Sequence, residues 1–250
     1  MSLLHFRYTA LAVFLFSLSP THAFGQVSVV SAASGSLILS PGSLACAFGS
    51  NLAASTAQAQ GAYPVTSLDG VSVQFGTTPA PLLAVSPTQI TLIVPPDVAL
   101  GQASVTVFNR GVAVANGTVS ISEVAPALFL TGNNRGAILN AISFAPEPFE
   151  LHDPSAQDGL TRLAIFLTGL NMSAGQQRSV SVIAQAGTST TVLPVEYAGP
   201  QGQYPGLDQI NVSLLPPLDA AGDVTITVLV NNSLVSGKVL YEKSQVLSQG

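Results

Sequence analysis

The chain has 250 residues, 47% of them hydrophobic and only 8% charged, with one Cys and no Trp. Disorder is excluded, because disordered chains are poor in apolar residues and rich in net charge. Seven Lys+Arg against twelve Asp+Glu give a net charge of −5, the wrong sign for a phosphate backbone, so a nucleic-acid binder is excluded too.

Residues 1–25 read as a secretory signal peptide. His5 and Arg7 make a short cationic start, an apolar stretch runs from Tyr8 to about Leu18, and Ser19-Pro20 breaks it. Thr21 and Ala23 suit a cut after Ala23, while Ala23 and Gly25 suit one after Gly25. A membrane span needs about 20 apolar residues. The stretch holds eleven, and no later segment comes near that length. Export without a membrane span in the mature chain is therefore expected, with the extracellular space or cell envelope as destination. Loss of Arg7 would leave six basic and twelve acidic groups.

Cys46 stands some 28 residues beyond the apolar run, with Ser43 where a lipoprotein signal would place Leu. It reads as a small buried strand residue rather than an anchor. A lone Cys forms no internal disulfide, so the domains must hold by core burial, which about 100 residues each can supply.

The 22 Gly and 17 Pro point to many turns, and the apolar residues recur with period two. Ala103, Val105 and Val107 alternate with polar residues, as do Val224, Ile226 and Val228. In the first half, further strands are predicted at 71–75, 81–85, 89–94 and 112–121. In the second they fall at 163–168, 180–184, 191–197, 209–214 and 233–241. Asn109-Arg110-Gly111 and Asn231-Asn232 separate apolar runs as hairpin turns do, and Pro95-Pro96 and Pro216-Pro217 end strands.

The halves also repeat. Gln89-Ile90 matches Gln209-Ile210 at an offset of 120, while Pro95-Pro96 matches Pro216-Pro217 and Gly101 matches Gly222 at 121. Gly49 and Asn51 face Gly169 and Asn171, again at 120. Such a period is too long for a solenoid and indicates two copies of one domain. The expected fold is all-β: two tandem Ig-like β-sandwich domains at 26–125 and 126–250, joined near Ala125-Pro126. An outer-membrane barrel fits poorly, because aromatic girdles are missing and the strands are short.

The chain resembles a family through a set of short motifs. They are Val30-Ser31-Ala32-Ala33-Ser34, Pro41-Gly42-Ser43, Phe48 to Leu52, Gly70 to Val73, Pro79 to Leu82 and Val85 to Ile90. Val94-Pro95, Ala125 to Phe129 and Gly136 to Asn140 complete the pattern. It is similar to the paired Ig-like, IPT/TIG-related module at the C-termini of large secreted proteins of environmental bacteria. The resemblance implies fold and secretion; that family has no established activity. The second half departs from the pattern at residues 141–160.

Candidates for chemistry are few. His152, beside Asp153, has no Gly-x-Ser-x-Gly nucleophile elbow to serve and reads as an exposed linker histidine. One His and one Cys in the mature chain cannot close a zinc site, and no phosphate loop is present. Glu147, Glu150, Asp153 and Asp158 form one acidic, Pro-rich segment at 146–158. Calcium gathers six to eight oxygens, but the spacing matches no calcium loop. The interleaved prolines favour an extended solvated linker, and no cofactor is otherwise expected. Asn116, Asn171, Asn211 and Asn231 start glycosylation-type triplets that composition alone explains, and Asn51 and Asn171 read as turn residues.

Tyr63 and Tyr204, in loops beside Pro64 and Pro205, are the candidate ligand-binding residues, since a flat ligand stacks on an aromatic face. The expected function is a non-catalytic structural or adhesion module that meets a protein partner or itself. The alternative is a module binding polysaccharide or another ligand through these tyrosines.

Overall fold

The computed structural model describes residues 24–60, 64–172, 179–215, 222–231 and 233–241. Fourteen of its strands have four or more residues, seven in each half. The first seven are β1 (Ser28–Ser31), β2 (Leu44–Phe48), β3 (Val71–Phe75), β4 (Leu82–Val85), β5 (Gln89–Ile93), β6 (Gly101–Asn109) and β7 (Val112–Ile121). The second seven are β8 (Arg162–Thr168), β9 (Val180–Ala186), β10 (Ser189–Leu193), β11 (Val195–Pro200), β12 (Asp208–Ser213), β13 (Gly222–Val230) and β14 (Ser233–Tyr241).

Alternation decides which face each strand buries. In β3, Val71, Val73 and Phe75 are buried and the residues between them are not; in β13, Val224, Ile226, Val228 and Val230 behave alike. One sheet of the first sandwich orders β1–β2–β5–β4, and the other places β6 between β7 and β3. Their inner faces meet in a core that includes Ala45, Ala47, Ile90 and Leu92 against Val73, Val105 and Val107. The second sandwich orders β8–β12–β11 over β10–β9–β13–β14, around Leu163, Ile165, Ile210, Val182 and Ile226. The two topologies superimpose, β2 on β8, β5 on β12, β4 on β11, and β3, β6 and β7 on β9, β13 and β14. This is the Ig-like arrangement expected from the duplicated landmarks.

Turn chemistry follows the sequence closely. Arg110 and Gly111 adopt φ of +51° and +79° in the β6–β7 hairpin, and Asn231 adopts +52° beyond β13. Asn51 and Asn171 occupy the left-handed region at +56° and +48°, so the repeated Asn marks the same turn in both copies.

Three expectations need correction. The strand predicted at 191–197 is two strands in different sheets: β10 pairs with β9, β11 with β12, and Pro194 stands between them. Proline offers no N–H to continue the ladder. Cys46 is half-buried rather than buried, because period two turns Ala45 and Ala47 inward and Cys46 outward, where its Sγ accepts from Gln89 Nε2 at 3.4 Å. The segment 146–158 is no solvated linker. Phe149 enters the second core with Leu151 packed against it, and Asp153 is buried.

The register between the equivalent strand pairs also differs. Gln89 faces Phe48, whereas Gln209 faces Phe166, two residues short of the landmark-equivalent Thr168. The end of β8 therefore projects farther than that of β2, and it projects toward the first sandwich.

Candidate functional site

The projecting end of β8 builds a polar joint between the sandwiches. Thr168 is fully buried, and its Oγ1 accepts from the Leu44 backbone N at 2.8 Å and donates to the Gly206 carbonyl at 2.7 Å. Ser40, equally buried, donates from Oγ to the Gly169 carbonyl at 3.1 Å, and the Ala125 N donates to the same oxygen at 3.0 Å. Gly206 packs so closely that a Cβ there would lie 2.5 Å from Ile93 Cδ1 and 3.3 Å from Leu44. The Ser40 and Thr168 hydroxyls, both buried, thus have partners, the condition under which such groups fix geometry instead of costing stability.

Beside the joint lies a cleft of about 310 Å³ with Pro41, Gly42 and Pro96 on one wall. The other wall is the loop from Pro200 to Leu207, and Asn171, Met172 and Asp208 complete it. The loop is tied at several points. Gln201 Oε1 accepts from the N–H groups of Gln203 and Tyr204 at 2.9 and 3.2 Å, and the Gln201 N donates to Leu207 O at 2.9 Å. These bonds hold Tyr204 out at the mouth, 65% exposed.

Asp208 takes the place that a backbone carbonyl holds in the first copy. There Gly49 N, the counterpart of Gly169 N, donates to Thr88 O. Here the Asp208 carboxylate accepts from Leu170 N at 2.9 Å and from Gly169 N. Burial pushes its carboxyl up to about 6, against the downward pull of these two donors. None of the described side chains lining the cleft is basic.

Of the two tyrosines singled out from sequence, Tyr204 lines this cleft, and Tyr63 lies outside the described residues. The acidic segment is dispersed. Glu147 forms a two-point pair with Arg135, which also reaches Asp223, and Asp158 pairs with Arg162, which also reaches Glu196. Asp153 accepts from Asn140 Nδ2 at 2.9 Å and from Ser155 N at 2.8 Å, bonds that lower its pKa, and Glu150 is exposed. The Arg162 guanidinium holds Asp158 well below the usual carboxylate range. Among the described residues no three His, Cys, Asp or Glu side chains gather to hold a metal ion. His152 is exposed, its ring lying over Gly159.

Ser40, Thr168, Gly206 and Asp208 were not legible as site residues. The one available signal was the repeat itself, which sets Asp208 against Thr88 directly before the matched Gln-Ile pair.

These features define a protein of two tandem Ig-like β-sandwiches with a hydrogen-bonded joint and a cleft beside it. Residues 40–122, which include β2 through β7, match the IPT/TIG domain family, a non-enzymatic Ig-like family. No curated protein matches the chain. No helix among the described residues is long and apolar enough to cross a membrane.

Proposed function

We propose that the chain is an exported, non-catalytic module of the cell envelope or extracellular space that works through protein–protein contacts. The observation that carries this reading is β10. Among the described residues it ends its sheet with no strand on its outer side, and Ser189-Thr190-Thr191-Val192-Leu193 carries no charge. Val192 is 62% exposed. Edge strands are ordinarily protected by lysine, proline or a bulge, and an unprotected one offers backbone hydrogen bonds to another chain. The IPT/TIG match supports the same reading, since such domains commonly mediate protein–protein or adhesion-type contacts.

Contact through an uncharged edge depends little on ionic strength. Sedimentation velocity between about 50 and 500 mM NaCl should therefore show self-association that changes little with salt. Val192→Lys should abolish it. A strict monomer throughout would remove the homotypic form of the proposal.

Gly25 and Gln26 pair in parallel with Ala115 and Asn116 of β7. A cut after Ala23 keeps this pairing, whereas a cut after Gly25 removes half of it. The exported protein should therefore begin at Phe24; a mass showing Gln26 first, or Met1 retained, would contradict this.

A second reading, a module that binds carbohydrate through a loop tyrosine, is favoured by the position of Tyr204 at the mouth of the cleft.

A further inference from the structure

We propose that the cleft between the two sandwiches is a glycan subsite for an uncharged sugar ring, stacked on Tyr204 with its hydroxyls turned toward Asp208. The proposal rests on the second reading above and names the site and the ligand chemistry.

Shape is the first ground. At about 310 Å³ the cleft lies at the lower end of ligand pockets, which start near 300 Å³, so it admits a short stretch of glycan. Its walls are preorganised. Pro41 and Pro96 stand on the first sandwich, and Pro200 and Pro205 on the second. The bonds of Ser40 and Thr168 fix one wall against the other. A ligand entering such a site spends little binding energy on ordering it.

The second ground is the presentation of Tyr204. An aromatic ring this exposed usually belongs to a mobile tip, but here both flanks of its loop are tied, through Gln201 Oε1 and through the Gln201–Leu207 backbone bond. A solvent-facing ring on a tied loop offers a flat apolar platform with a hydroxyl at its edge, which suits the C–H face of a pyranose.

Charge selects among sugars. Among the described residues, the Asp208 carboxylate is the one charged side chain lining the cleft. With acceptors in this wall and no cation among its described side chains, hydroxyl donors are favoured and carboxylate, sulfate or phosphate groups are repelled.

The test uses the exported chain with cellohexaose, maltohexaose, xylohexaose and mannohexaose, and hexagalacturonate as the anionic arm. Titration calorimetry and saturation-transfer NMR supply the readout. At least one neutral hexasaccharide should bind, Tyr204→Ala should weaken it roughly tenfold, and Tyr204→Phe should retain most of the affinity. Hexagalacturonate should not bind. Neutral binding that survives Tyr204→Ala would leave the carbohydrate reading standing and overturn the cleft as its site. Absence of binding by all four neutral probes would overturn both. Hexagalacturonate binding as tightly as the neutral probes would overturn the assignment of an uncharged ring.

Discussion

Gly169→Ala should destabilise the protein by about 3 kcal/mol or more and split its thermal unfolding into two transitions. Gly169 sits at φ +90°, where an L side chain is strained, and a Cβ built there falls 2.1 Å from the Ala125 carbonyl oxygen. That neighbour is backbone, so the overlap is relieved only by moving the segment between the sandwiches. Such a movement breaks the bonds that Ala125 N and Ser40 Oγ donate to Gly169 O. It also shifts Thr168, leaving the half-buried Leu44 N and Gly206 O without their shared hydroxyl.

A control separates strain from contact. Gly187 has a positive φ of +56° but nothing within 4 Å of its Cβ position, so Gly187→Ala should cost about 1 kcal/mol and leave unfolding in one step. Calorimetry of both variants decides the matter. If Gly169→Ala melted like Gly187→Ala, in one step and at a similar temperature, the joint would not couple the sandwiches.

The contrast between these glycines shows what could be read in advance. Period-two alternation in Val71–Phe75 or Gly222–Val230 is a local pattern, because the face a strand buries depends on its own residues. Hairpin turns are equally local: Arg110-Gly111 needs positive φ whatever surrounds it. The duplication was legible because spaced landmarks survive in both copies. The joint was not, since it depends on a two-residue register difference between β2–β5 and β8–β12, and both registers satisfy the same alternation.

Composition also misled at 146–158. A segment with four carboxylates and three prolines has the look of a solvated tether, yet Arg135 and Arg162 neutralise two of the carboxylates and Phe149 anchors the chain in the core. Neither arginine is adjacent in sequence to its second acidic partner, Asp223 or Glu196. Tyr204 was found because an exposed aromatic beside proline is a local signal. Asp208 was missed because its role depends on turning its carboxylate toward two N–H groups some 38 residues away.

Asp208 should make the protein more stable in mild acid than at alkaline pH, the opposite of what paired carboxylates do. Its folded pKa is about 6 against an ordinary value of 3.8, so the folded state binds the proton more tightly than the unfolded chain. Stability from this group therefore rises as pH falls through 6 and is complete below 3.8. The span corresponds to about 3 kcal/mol. Asp153 works in the other direction. Its pKa is lowered, so its contribution is present above 3.8 and is lost as pH falls further. Asp158, held down by Arg162, has the same sign as Asp153. The groups together place the stability maximum between the two ranges, in mildly acidic solution. Asp208→Asn keeps the shape of the side chain and removes its titration. Denaturant melts of both proteins from about pH 8 to pH 4 should show the wild type gaining roughly 2 kcal/mol on the variant as the pH falls. Parallel stability curves would mean that the carboxylate titrates as it does in the unfolded chain. The pull of its two N–H donors would then offset the cost of burial in full.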